Sequence, residues 1–127
     1  METKKLLQEL HSDNLTWLNR LAFYEDEIEF LRKQVEKIAA KSNDDTALAL
    51  CESYLNRLTI QKHEIHEIRD RVRMDERELA LTEMTNPNAV NDYFPDETEE
   101  REAMETFEKL YFGFKEELLE FFSKIKR

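Results

Sequence analysis

The stretch QKHEIHEIRDR, residues 61–71, is where this sequence comes nearest to catalytic chemistry. His63 and His66 stand three residues apart with Glu64 and Glu67 beside them, all groups able to ligate a metal or move a proton. A helix that holds a catalytic zinc presents two histidines four residues apart with a glutamate base between them, the pattern HExxH. Here the spacing is HExH, and position 67 is a glutamate. Carboxylate-bridged metal pairs in helical bundles use Glu-x-x-His on each of two helices. The residues three before His63 and His66 are Ile60 and His63, so that pattern fails as well.

Whether these imidazoles can meet any other ligand depends on the elements that carry them. One glycine and two prolines in 127 residues, with abundant Leu, Glu, Lys and Arg, favour long helices over sheets. The length fits a single helical domain over residues 1–127 that buries roughly two thirds of its unfolded surface. A net charge of −10 argues against nucleic acid as a partner, because phosphate neutralisation needs a basic surface. No apolar run approaches the ~20 residues of a membrane span, and METKKLLQEL lacks a signal-peptide core. The single cysteine, Cys51, forms no internal disulfide, and the expected location is cytoplasmic.

A first helix is predicted over about residues 3–40. Leu7, Asn14, Leu21, Ile28 and Val35 take position a of a heptad, and Leu10, Trp17, Tyr24, Leu31 and Ile38 take position d. KSNDDT breaks the pattern, and Ser42 with Asp45 resembles a capping box. A second helix follows over about 43–84, with Cys51, Leu58, Ile65, Val72 and Leu79 at a and Ala47, Tyr54, Gln61, Ile68 and Asp75 at d. Pro87, Pro95 and several asparagines predict a loop over 85–97, in which Tyr93 and Phe94 pack across the end of the hairpin. A third helix is predicted over about 98–125, its seam formed by Met104, Phe107, Tyr111, Phe114, Leu118, Phe121 and Ile125.

So short a connection makes the first two helices antiparallel neighbours. Folding at residues 42–43 opposes Leu31 with Tyr54, Tyr24 with Gln61, Trp17 with Ile68 and Leu10 with Asp75. The flanking charges then pair Asp13 with Arg71, Arg20 with Glu64 and Glu27 with Arg57 along the g edge. Along the e edge they pair Glu25 with Lys62 and His11 with Glu76. The fold class is all-α: an antiparallel, coiled-coil-like three-helix bundle made of a long hairpin and a shorter third helix. The third helix is expected at the open end of the hairpin, stopping short of the Ser42 loop.

In this register His11 lies roughly 15 Å along the axis from His63 and His66. His63-x-x-x-Glu67 together with His11 resembles a fragment of the hemerythrin-type His/Glu arrangement, but the third helix carries no histidine. The expectation is a solvated helix face with no metal or other cofactor and only adventitious zinc or nickel binding by His63, His66 and Glu67. His66 is expected to be partly covered by the third helix.

Three polar residues, Asn14, Gln61 and Asp75, interrupt the seam. Gln61 opposes Tyr24, which predicts an amide–phenol hydrogen bond. Asn14 and Asp75 sit one layer apart with His11 on the flank. One reading makes Asp75 and His11 an acid–base pair in a helical-bundle enzyme or ligand binder. The other makes the buried polar groups a device that disfavours slipped pairings. The second is preferred, because no cleft or substrate-positioning shell converges there.

Apolar residues outside the seam are more informative. Phe23, Phe30 and Ile60 are expected to form a stripe on one side of the hairpin, and the third helix has Phe112 and Leu119 to spare. Such a surface on an acidic chain points to burial in a partner, foremost a second copy. The functional expectation is a non-enzymatic protein–protein interaction or scaffold protein, a homodimer with no catalytic residue. Cys51, at a core position, reads as a small buried hydrophobe.

Overall fold

The computed structural model describes the backbone of residues 2–85 and 94–125, and the side chains of residues 7–85 and 99–125. Among the described residues the fold is all-α, a bundle of three helices: α1 (Glu2–Lys41), α2 (Asp45–Thr85) and α3 (Phe94–Ile125). Every a and d residue predicted for α1 is buried except Ile38, which is partly covered. In α2 the same holds except at the polar positions Gln61 and Asp75, which are half-buried. The α3 seam is buried from Met104 to Phe121, while Ile125 is 41% exposed.

The reversal between α1 and α2 occupies residues 42–44. Its cap differs from the expected one. Asp44, not Ser42, closes the start of α2: its Oδ1 accepts from the Thr46 amide at 3.1 Å, and Ser42 Oγ accepts from the Asp44 amide at 3.2 Å. Asp45 follows in the first turn, where the helix dipole favours a carboxylate.

α3 starts at Phe94, earlier than expected, with Pro95 in its first turn. Proline fits there because the amide it lacks would have no intrahelical partner and its φ is already helical. The proposed packing of Tyr93 and Phe94, and most of the expected 85–97 loop, lie outside the described residues. The helix also reaches further than expected. Phe122 and Ile125 share a cleft with Ile38 and Lys41, so α3 reaches to within about one turn of the 42–44 reversal. At 32 residues it is still shorter than α1 and α2, about 48 Å against about 60 Å for α1.

α3 runs parallel to α1, and a set of ion pairs fixes its register. Arg101 meets Asp13 at 2.8 Å, Glu108 meets Arg20 at 3.4 Å and Lys115 meets Glu27 at 3.1 Å. Each pair is one heptad beyond the last on both helices. Arg57 of α2 grips Glu117 of α3 with two hydrogen bonds, 3.1 and 2.9 Å. These contacts overturn the expected g-edge pairs between α1 and α2. α3 lies over that edge and takes Asp13, Arg20, Glu27 and Arg57 as its own partners.

The e edge, on the opposite side, keeps the α1–α2 contacts. His11 pairs with Glu76 as expected. Glu25 meets His66 and Arg69, while Lys62 reaches Glu29 at 3.0 Å, one turn from the expected Glu25–Lys62 pairing. α1 and α2 approach each other closely along their length, whereas α3 stands further off. Side-chain size explains the difference. The α1–α2 seam is mainly aliphatic, while α3 fills its side with Phe107, Tyr111, Phe114 and Phe121. Gly113 marks no close approach: a Cβ built there meets nothing within 4 Å. Among the described residues, no helix is long and apolar enough to cross a membrane.

Candidate functional site

Two kinds of feature stand out: a polar layer inside the bundle and apolar lines outside it. The polar layer lies near the open end. Asn14 is 1% exposed, and its Nδ2 donates to Glu76 Oε2 at 2.9 Å. The other carboxylate oxygen of Glu76 meets His11 Nδ1. Asn14 Oδ1 has no hydrogen-bond partner among the described residues. Glu100 of α3 is buried too, at 4% exposure. The layer separates a large core spanning all three helices from a small cluster of Leu7, Leu10 and Leu79.

Of His11, Asn14 and Asp75, the structure brings the first two together. Glu76, the next residue along, takes both His11 and Asn14. Asp75 lines a cleft of about 250 Å³ between α2 and α3 with Arg71, Glu78, Glu99 and Glu100. Continuing the three–four spacing of α3 back from Met104 would have placed Glu100 in the core.

Gln61 does not serve Tyr24 as expected. The Tyr24 hydroxyl donates to Glu108, and that of Tyr111 donates to Glu27 at 2.6 Å. Burial and these adjacent carboxylates push both phenols well above the ordinary tyrosine value. They are structural hydrogen-bond donors and poor candidates for proton transfer near neutral pH. Burial also pushes the Cys51 thiol up, consistent with its 1% exposure in the core.

The histidines of α2 part company. His63 is exposed, with Nε2 3.2 Å from Glu67 Oε1 on the same helix. His66 lies on the e edge, away from α3, with Nε2 2.5 Å from Glu25 Oε2; it is α1 that covers it, not α3. Arg69 donates to the same Glu25 oxygen at 3.2 Å. Among the described residues, no group of three or more His, Cys, Asp and Glu side chains is placed to hold a metal ion.

The outer surface offers more. Along the α1–α3 groove, Phe112 packs edge-on against Tyr24 at 5.7 Å, and Phe23 does so at 6.0 Å. One heptad further on both helices, Phe30 and Leu119 line a shared cleft with Phe122. Phe23 and Phe30 are each 61% exposed, Phe112 44% and Leu119 48%. Ile60 does not join this line. α3 lies between them, and Ile60 instead faces Leu110 across an α2–α3 cleft of about 640 Å³. The expected single stripe is thus two separate surfaces on either flank of α3. No protein-family model, curated protein or solved structure matches the chain.

Proposed function

We propose that this chain is a non-enzymatic interaction or scaffold protein, a coiled-coil-like cytoplasmic bundle that pairs with a second copy of itself. The observation that carries this reading is the exposed double layer Phe23/Phe112 and Phe30/Leu119 on the outer α1–α3 groove. Aromatic and aliphatic side chains gathered in one line are costly to leave in water, and a contiguous patch of this kind marks a contact surface. A two-fold axis between the layers would set each Phe23 layer against the Phe30 layer of the other copy, a self-complementary contact.

The alternative, a catalytic or ligand-binding site at His11, Asn14 and Asp75, has weaker support, because Glu76 holds the first two and Asp75 faces a different cleft. Light scattering across micromolar concentrations tests the preferred reading. A dimeric mass is expected, and Phe23→Ser with Phe30→Ser should return the monomer. A strictly monomeric wild-type chain would overturn it.

A further inference from the structure

The opposite flank of α3 differs from the α1–α3 face in a way that selects a different partner. The cleft between α2 and α3 has a floor of buried Ile68 and Phe107, with Ile60 and Leu110 as its lips, 59% and 62% exposed. Its rim carries Glu64, Glu99 and Glu102. The cleft runs into the smaller one, with which it shares Arg71 and Glu99, and there Asp75, Glu78 and Glu100 add further carboxyl groups. Against these acids stands one cation among the described lining residues, Arg71. From Ile60 to Glu78 the combined groove follows α2 for about 27 Å, the length of an 18-residue helix.

We infer that this groove is a docking site for a basic amphipathic helix of a partner protein. An apolar floor between exposed apolar lips takes the hydrophobic face of a helix, with anchors at i, i+3 or i+4 and i+7. A carboxylate rim complements lysine and arginine on the flanks of that face, speeds encounter and rejects acidic helices. The same groove of a second copy is the wrong occupant, because it carries the same carboxylates and would set like charge against the rim. The inference rests on reading the chain as an interaction protein, but it uses a face separate from the one proposed for self-pairing.

The test uses three fluorescein-labelled 18-residue peptides titrated into the full chain with anisotropy as the readout. One has leucines at helical spacing and lysines elsewhere, one has the same composition scrambled, and one replaces lysine with glutamate. The patterned basic peptide should bind at least about tenfold more tightly than either control. Ile60→Ser with Leu110→Ser should cost about tenfold, as should Glu64→Gln with Glu102→Gln, while Phe30→Ser should leave binding unchanged. These side chains are exposed or on the rim, and circular dichroism of each variant confirms that it folds. Equal binding of the scrambled peptide, loss on Phe30→Ser, or no binding of the patterned peptide would each overturn the proposal. The mass of the same samples reports on self-pairing independently: a monomer that binds the peptide sinks only the dimer, and a dimer that does not bind it sinks only this groove.

Discussion

The α1–α2 seam and the α3 interface are built from different materials. The seam layers aliphatic residues such as Leu21, Ile28, Val35, Leu58, Ile65 and Val72, most of them fully buried, between two close helices. The α3 side uses large rings: Phe107 stacks on Tyr111 at 5.6 Å with a 7° tilt, and Tyr54 meets Phe121 at 4.9 Å. It then adds phenol–carboxylate hydrogen bonds and ion pairs at its margins. The first interface is held mainly by shape and apolar burial, with the contacts of Glu25, Glu29 and Glu76 along its e edge. The second combines burial with directional contacts that fix which way α3 runs and where it stops.

The largest effect should come from cutting into the seam. Ile65→Ala, at a residue with 0% exposure, should cost about 2–5 kcal/mol in urea unfolding, because the removed atoms leave a cavity that rigid neighbours cannot fill. The outcome that would erase the contrast is a cost no greater than that of removing one phenol from the α3 side.

Removing a phenol should cost less. Tyr111→Phe and Tyr24→Phe should each lower stability by about 1–2 kcal/mol, as each removes a hydrogen bond to a carboxylate while Glu27 keeps Lys115 and Glu108 keeps Arg20. The same groups give the bundle an alkaline limit. In the unfolded chain they ionise near 10.0, and in the folded chain they hold their protons to higher pH. The contribution of these two phenols is therefore full below pH 10 and falls as pH rises above it, until the folded phenols ionise as well. Thermal unfolding followed from pH 8 upward should show this decline, and the double Tyr→Phe variant should flatten it.

The smallest effect sharpens the comparison most. Each ion pair along α1 and α3 is worth about 0.2–1 kcal/mol, less where it is well exposed. Reversing Asp13, Arg20 and Glu27 should destabilise by a modest sum. Reversing Arg101, Glu108 and Lys115 in the same chain should restore it, whereas reversing Arg71, Glu64 and Arg57 should not. Rescue by the α2 set instead would mean that α3 does not sit on this edge.

That last test shows where the sequence stopped being legible. Heptad spacing located nearly every core residue, because apolar periodicity reports directly on the buried face of a helix. The partners of the flanking charges were another matter. Asp13, Arg20 and Glu27 alternate in sign, and so do Arg71, Glu64 and Arg57 in the antiparallel order. Arg101, Glu108 and Lys115 of α3 offer the same signs in the parallel order. Charge complementarity was equally good for both, and only packing could choose.

The surface stripe misled for a related reason. Phe23, Phe30 and Ile60 share a side of the hairpin, but that is the side on which α3 lands, and it parts them. In the candidate polar site, the His11–Glu76 pair was readable from the register, while Glu76 as the partner of Asn14 as well required knowing how each side chain leans.

The buried polar pair of Asn14 and Glu76 has a consequence for how the bundle comes apart. Hydrophobic contacts transmit cooperativity only where they touch, and here a belt of amide and carboxyl groups lies between the main core and the Leu7, Leu10 and Leu79 cluster. The Leu7, Leu10 and Leu79 cluster should therefore open at a lower free energy than the layers beyond the belt, a difference that amide hydrogen exchange along α1 and α2 would read out.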